Sequence, residues 1–262
     1  MPNMGYMELL RNVRNMEESG VASDILDIAA SRLSDPQQIR DSRQMPLRFW
    51  SAAKALSDSR TFESALESGL EVSTEAVPPL DGRTLILVDQ SGSMGVPYGG
   101  YRNIGDINVD SQATLGEVAA LYGAALAKRS KDVDLVMFGS SHHLATDVKD
   151  SSILDSVRNH GSASLGGTNT WTALNESFQN HDRVIVLSAG QSNDRGSLPK
   201  GVPVHFFDLT GHSVSFANDN SPNYYAYGGL SDLSFRLFAI MEGASNASDE
   251  LLTQERSKDE AS

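Results

Sequence analysis

Apolar positions in the first 75 residues recur at helical spacing, and after residue 80 they switch to short apolar runs separated by helical stretches. Tyr6, Leu9, Leu10, Val13 and Met16 mark a first helix that Gly20 stops. Ile25, Leu26, Ile28, Ala29 and Leu33 mark a second helix, over about 24–33. Asp35-Pro36 supplies a cap and a first-turn proline for a short third, which Met45-Pro46 breaks. Phe49, Trp50, Ala53 and Leu56 mark a fourth, and Phe62, Leu66 and Leu70 a fifth that Thr61 is placed to cap. About two helix pairs seldom stand alone, so they are expected to pack on the rest of the chain or on a partner.

Val77-Pro78-Pro79-Leu80-Asp81-Gly82 reads as a turn. Beyond it, strands are predicted near 83–88, 133–138, 183–188, 202–209 and 224–227, with a short edge strand near 143–147. Helices are predicted near 114–129, 151–158, 171–179 and 233–241, and a polar loop over 95–113. Strands alternating with helices predict an α/β fold built on an open, mostly parallel sheet, preceded by an all-α segment. The expected organisation is a helical segment over 1–76, the α/β domain over 77–242 and an acidic, disordered tail over 243–262.

The stretch LILVDQSGSMG runs four apolar residues into Asp89, Ser91 and Ser93. One carboxylate and two hydroxyls at the carboxyl end of a strand make a set of hard oxygen ligands suited to Mg²⁺ or Mn²⁺. Open α/β sheets place their ligand sites at that end. Two further loops carry oxygen donors: Gly166-Gly167-Thr168-Asn169-Thr170, and Ser188-Ala189-Gly190-Gln191-Ser192-Asn193-Asp194. Thr168 joins the ligand set. Such a site holds its cation with positions left for water and an external carboxylate or phosphate, and acts as an adhesion device rather than a catalyst. The alternative is that Ser91 and Ser93 only cap the turn after the strand. A nucleophile elbow, a P-loop and a dinucleotide fingerprint are absent. A hydrolase using Asp89 lacks a positioned base or second metal ligand, so no enzymatic activity is expected.

Composition narrows the partners. The chain has 262 residues, a net charge of −13 and no cysteine, which excludes disulfides and thiolate metal sites. Residues 1–60 carry eight basic and eight acidic side chains, so the excess acid lies in 61–262 and disfavours nucleic acid there. RNA contact, if present, falls on the helical segment, where Arg11 and Arg14 lie three apart on one helix face; the competing reading is ordinary solvated arginines. His142 and His143 are strand neighbours facing opposite ways and do not chelate. His205 is expected in the core, His160, His181 and His212 in loops, and Trp50 and Trp171 in helix packing. Nothing in the sequence resembles a signal peptide or approaches the ~20 apolar residues of a membrane span, so a cytoplasmic protein with no membrane or DNA partner is expected.

These residues carry a resemblance. Residues 83–242 look like a von Willebrand factor A-type domain: LVDQSGSM resembles its metal-ion-dependent adhesion site, and GGTNTW and HDRVIVLSAGQ its second and third metal loops. MGYMELLRNVRNMEESG through SRQMPLRFWSA, and the join VPPLDGRTLILVD, resemble the end of the TROVE domain of Ro-type proteins. The resemblance implies a ribonucleoprotein component whose TROVE part is a ring of helical repeats binding small noncoding Y-type RNA, with the A domain set against the ring. Only the final helices of such a ring are present, so missing repeats or a protein partner are expected to complete it. The resemblance also places an aspartate where this chain has Ala189, which implies weaker metal binding; Asp194, five residues on, is a candidate replacement. A metal-dependent protein-adhesion module without an RNA role is the second reading.

Overall fold

A computed structural model of the chain describes residues 4–56, 59, 61–77, 79–98, 113–211, 216–217 and 221–230, with 238, 240, 241 and 243. The loop around Tyr101, His212, most of the helix expected at 233–241 and the tail beyond 243 lie outside the described residues.

Five helices open the chain: α1 (Tyr6–Glu18), α2 (Ser23–Leu33), α3 (Pro36–Ser42), α4 (Pro46–Ala55) and α5 (Glu63–Ser73). The Asp35 side chain accepts the Gln38 N–H at 2.9 Å and starts α3, as the Asp-Pro pair predicts. Thr61 does not cap α5; the Ser59 hydroxyl accepts the Phe62 N–H at 3.3 Å instead. The chain then alternates through β1 (Leu80–Asp89), α6 (Leu115–Arg129), β2 (Ser130–Phe138), β3 (His142–Leu144), α7 (Ile153–His160), α8 (Thr170–Ser177), β4 (Arg183–Ser188), β5 (Val204–Asp208) and β6 (Tyr224–Gly228). His160 thus ends a helix rather than lying in a loop.

The six strands form one sheet in the order β3-β2-β1-β4-β5-β6, parallel except for the β2–β3 pair. β1 is central, which is why residues 85–88 are continuously apolar: both faces of the strand are covered. Leu85 and Leu87 face a cluster containing Trp171 and Leu174 of α8. Ile86 and Val88 face the other way, into a core shared with α6, α7 and the helical segment. α6 lies between the sheet and the helices, and 12 of its 15 residues are buried, the pattern of a helix packed on most sides. Thr114 and Glu117 form a capping box at its start, and Lys128 and Arg129 suit its C-terminus.

The helical segment does pack on the rest of the chain. Leu9, Leu33, Phe49, Leu66 and Leu70 belong to the same buried cluster as Val118, Leu121 and Ile185. Polar ties reinforce the seam: Lys54 Nζ lies 2.5 Å from Glu117 Oε2, the Ile153 N–H donates to Glu71 Oε1 at 2.7 Å, and Arg129 Nε donates to the Val77 carbonyl at 3.0 Å. Within the segment, α5 meets α4 where Gly69 lies against the Phe49 ring, and a Cβ at Gly69 would overlap that ring. Gly69→Ala is therefore expected to lower stability by about 1–3 kcal/mol through overpacking, read as a fall in the thermal midpoint.

Candidate metal centre

The strand order reverses at β1, with β2 on one side and β4 on the other. The crevice outside the carboxyl ends of β1 and β4 is therefore the expected ligand position of an open α/β sheet. Three loops meet there. Asp89 ends β1 fully buried. Its Oδ1 accepts the Ser91 N–H at 2.8 Å, and its Oδ2 accepts the Ser188 hydroxyl at 2.6 Å. Ser91 precedes a 3-10 turn over Gly92–Gly95, yet its side chain makes no capping bond. It lies 3.0 Å from the Ser93 hydroxyl instead. The two serines thus face each other rather than the turn, which counts against a purely capping role.

The second loop is stitched to the first. The Leu165 N–H donates to the Gln90 carbonyl at 2.9 Å, and the Gly92 N–H donates to the Gly166 carbonyl at 2.6 Å. Gly166 sits at φ +76°, and a Cβ at Gly139 would run into the Leu165 backbone. The Gly167 N–H donates to the Ser140 hydroxyl at 2.7 Å. Thr168 is buried, and its carbonyl accepts the Asn193 N–H at 2.7 Å, which ties in the third loop. Its hydroxyl makes no hydrogen bond among the described residues. Gln90 pins the assembly: its Nε2 donates to the Gly116 carbonyl at 2.8 Å, and its Oε1 accepts the Ala163 N–H at 2.9 Å. Gln90→Ala removes both bonds, one to a buried and one to a partly buried backbone group, and is expected to lower stability by about 1–3 kcal/mol in chemical denaturation.

Burial raises the Asp89 carboxyl above the ordinary aspartate value, against the pull of hydrogen bonds from Ser188, Ser91 and the Ala189 backbone. A cation would remove that penalty on the charged form. Asp89, Ser91, Ser93 and Thr168 supply only oxygen atoms, the donor set of Mg²⁺ or Mn²⁺. Among the described residues, no cluster of three or more histidines and carboxylates is suited to a metal. These residues fit a divalent cation held by hydroxyls around a single carboxylate. Ala189 offers no ligand atom.

Asp194 is placed differently from its expected role as a replacement ligand. Oδ1 accepts the Ser192 hydroxyl at 2.7 Å and the Trp171 N–H at 3.2 Å; Oδ2 accepts the Thr172 N–H and hydroxyl, both at 2.7 Å. Asn169 precedes α8 without a side-chain cap, and Asp194 supplies that cap from another loop. Burial raises its pKa, but the bonds from Ser192, Thr172 and Trp171 outweigh it and leave the group below the usual carboxylate range. Its contribution to stability is therefore present above the unfolded value, ~3.9, and lost as pH falls through the lower folded value. Asp194→Ala is expected to cost about 1–2 kcal/mol at neutral pH. The difference from the parent should shrink below about pH 4 in thermal melts.

Other sequence candidates fall elsewhere. Arg14 pairs with Glu18 at 3.0 Å on the exposed side of α1, while Arg11 is exposed on the same helix. His142 and His143 diverge: His142 lies 3.6 Å from Glu176, and the His143 ring is 6.3 Å from that of His160. His205 is fully buried, with Nδ1 2.9 Å from the Tyr227 hydroxyl. His181 lies in a loop but is buried, 2.9 Å from Asp134. Trp50 and Trp171 are both core residues. Gln90 carries no spacing signal in the sequence, and Ser188 is read there only as the first residue of the third oxygen-bearing loop, at the end of β4.

Comparison with known proteins agrees with this architecture. Residues 1–82 match the TROVE domain. No curated protein matches the sequence. Among solved structures, the chain is similar to the Ro (RSR) protein of Deinococcus radiodurans, with a TM-score of 0.65 and 18% identity over 87% of this chain. The match covers 52% of that protein, so the chain spans about half its length. Among the described residues, no helix is long and apolar enough to cross a membrane. Residues 1–82 of this chain thus match the TROVE domain in sequence, and the fold of most of its length is similar to that of a Ro protein.

Proposed function

We propose that the chain is a non-catalytic component of a ribonucleoprotein, binding small noncoding RNA through its helical segment, alone or with partner repeats. The observation that carries this reading is the TROVE match over residues 1–82, which takes in all five opening helices. Those helices share one core with the α/β part, so a ligand on them is held rigidly relative to the crevice at β1 and β4. On this reading residues 77–242 form a von Willebrand A-type domain, consistent with the central β1 and its Asp-x-Ser-x-Ser end.

Asp89, Ser91, Ser93 and Thr168 would hold Mg²⁺ or Mn²⁺ weakly. When bound, the cation supplies a Lewis-acidic position for an external oxygen ligand. Asp89 provides the charge, the serines and threonine orient it, and Ser188 holds the carboxylate. The second reading is a metal-dependent protein-adhesion module without RNA, favoured by the concentration of the −13 net charge in 61–262.

Chelation separates the two. RNA binding through arginines is expected to survive EDTA, because phosphate contact by guanidinium needs no cation. A carboxylate–metal bridge to a partner protein should be lost. Fluorescence anisotropy with labelled RNA, with and without EDTA, reads the first. Absence of RNA binding together with EDTA-sensitive capture of a partner protein would reverse the order of the two readings.

A further inference from the structure

At the end of the sheet opposite the metal centre, where β4 and β5 begin, three segments meet. They are the last turn of α8, the turn over 178–182 that leads into β4, and the loop over 197–202 that leads into β5. Between them lies a cavity of about 460 Å³. That volume falls within the ~300–1,000 Å³ of small-molecule sites. Its floor is a gap in the core beneath α8. Leu174 is buried there, while Phe178, Leu198 and Val202 pack on the same cluster and keep part of their surface in solvent.

The walls are fixed by contacts of their own. His181 is buried; its Nδ1 accepts the Gln179 N–H at 3.1 Å, and its Nε2 lies 2.9 Å from Asp134 Oδ2. Asn180 and Gly201 take the left-handed backbone, at φ +54° and +72°, and turn the chain sharply on the two sides of the mouth. Just before the 197–202 loop, Gly196 lies so close to the Trp171 ring that a Cβ would overlap it, which packs that loop against α8.

The rim is polar and carries one sign of charge. Among the described residues, Lys200 has no ion pair and the Asn175 and Asn180 side chains have no hydrogen bond. Among the same residues no carboxylate lines the cavity, although 61–262 hold the whole net charge of −13. An ammonium and two amides beside an apolar floor complement one carboxylate on a hydrocarbon body. The ammonium and the amide N–H groups donate to the carboxylate oxygens, and the floor takes the body out of water.

We infer that this cavity binds an apolar monocarboxylate of the medium-chain fatty acid class, with its carboxylate at Lys200 and its chain over Phe178, Leu198 and Val202. The site is separate from the metal centre and rests on neither the metal nor the RNA reading.

The test is calorimetric titration of the full chain with octanoate at two temperatures. Binding is expected at about 1 mM or tighter. Butanoate, too short to cover the floor, should bind at least about tenfold more weakly, and octanol, which lacks the charge, about five- to tenfold. Lys200→Gln should weaken octanoate about five- to tenfold. It should leave the ligand-free thermal midpoint unchanged, because the side chain is exposed. Leu198→Asn should weaken binding by a similar factor, with a thermal melt to confirm the fold; if it unfolds, Lys200→Gln decides alone. Lys131→Gln, at an exposed lysine of β2, should change nothing. Absence of octanoate binding, octanol bound as tightly, or equal losses in Lys200→Gln and Lys131→Gln overturns the assignment. Absence of octanoate binding together with a dimer in sedimentation that Leu198→Asn dissociates would give the cavity to a second copy of the chain, and overturns it too.

Discussion

Replacing Asp89 by Asn is expected to abolish divalent-cation binding and, in metal-free protein at neutral pH, to raise the melting temperature. The carboxylate is fully buried and its pKa is raised by that burial. A raised folded value means that the protonated form favours folding. The stability is complete below the unfolded value, ~3.9, and declines as pH rises through the folded value. The ionised Asp89 of neutral pH is therefore a cost that Asn does not carry. Asn can still accept the Ser91 N–H, and its amide can donate to the Ser188 hydroxyl. A gain of about 1–2 kcal/mol, or roughly 2–6 °C, is expected above the folded pKa and should vanish near pH 4. Calorimetric titration with Mn²⁺ should show affinity reduced at least about 100-fold, since the one charged ligand is gone. A lower melting temperature for Asp89→Asn in metal-free protein at neutral pH would instead make the carboxylate a structural hub for the loop hydrogen bonds.

Ala189→Asp is expected to strengthen cation binding about 10- to 100-fold. Ala189 follows Ser188, whose hydroxyl holds Asp89, and it packs partly buried against the core. A carboxylate about 5 Å from a unit charge contributes ~3 kcal/mol at an effective dielectric of 20, and solvent at the loop reduces this. In metal-free protein the same change places two carboxylates side by side at a site already unfavourable for one, so the melting temperature should fall. Millimolar Mg²⁺ should restore it by mass action. Scanning calorimetry with and without Mg²⁺ reads both signs. An Ala189→Asp protein whose stability ignores Mg²⁺ would show that the three loops do not converge on one cation.

Much of the architecture is local in origin. The apolar run 85–88 encodes a strand covered on both faces, and the alternation of Leu85 and Leu87 against Ile86 and Val88 is realised on opposite sides of the sheet. Helix starts follow the chemistry at Asp35-Pro36 and Pro46. At α5 the cap residue is Phe62, without a side-chain cap bond, and Thr61 does not serve; Ser59 accepts the Phe62 N–H one turn earlier. β1 begins at Leu80, ahead of the predicted 83, because Leu80 pairs with Ser130 across a register shift that the turn-like Asp81-Gly82 conceals.

By itself the sequence determined the element types, the parallel α/β class after a helical segment, and the oxygen-rich loop at the end of β1, because each follows from periodicity or from residues within a few positions of one another. Only the tertiary structure decided which side chains surround Asp89. The Ser188 hydroxyl reaches it from 99 residues away, and Gln90 accepts from Ala163 across 73. Tertiary packing likewise assigned Asp194 to the start of α8. A carboxylate or a guanidinium takes its role from the partners that desolvate and hydrogen-bond it, and those partners are chosen by the packing of distant segments.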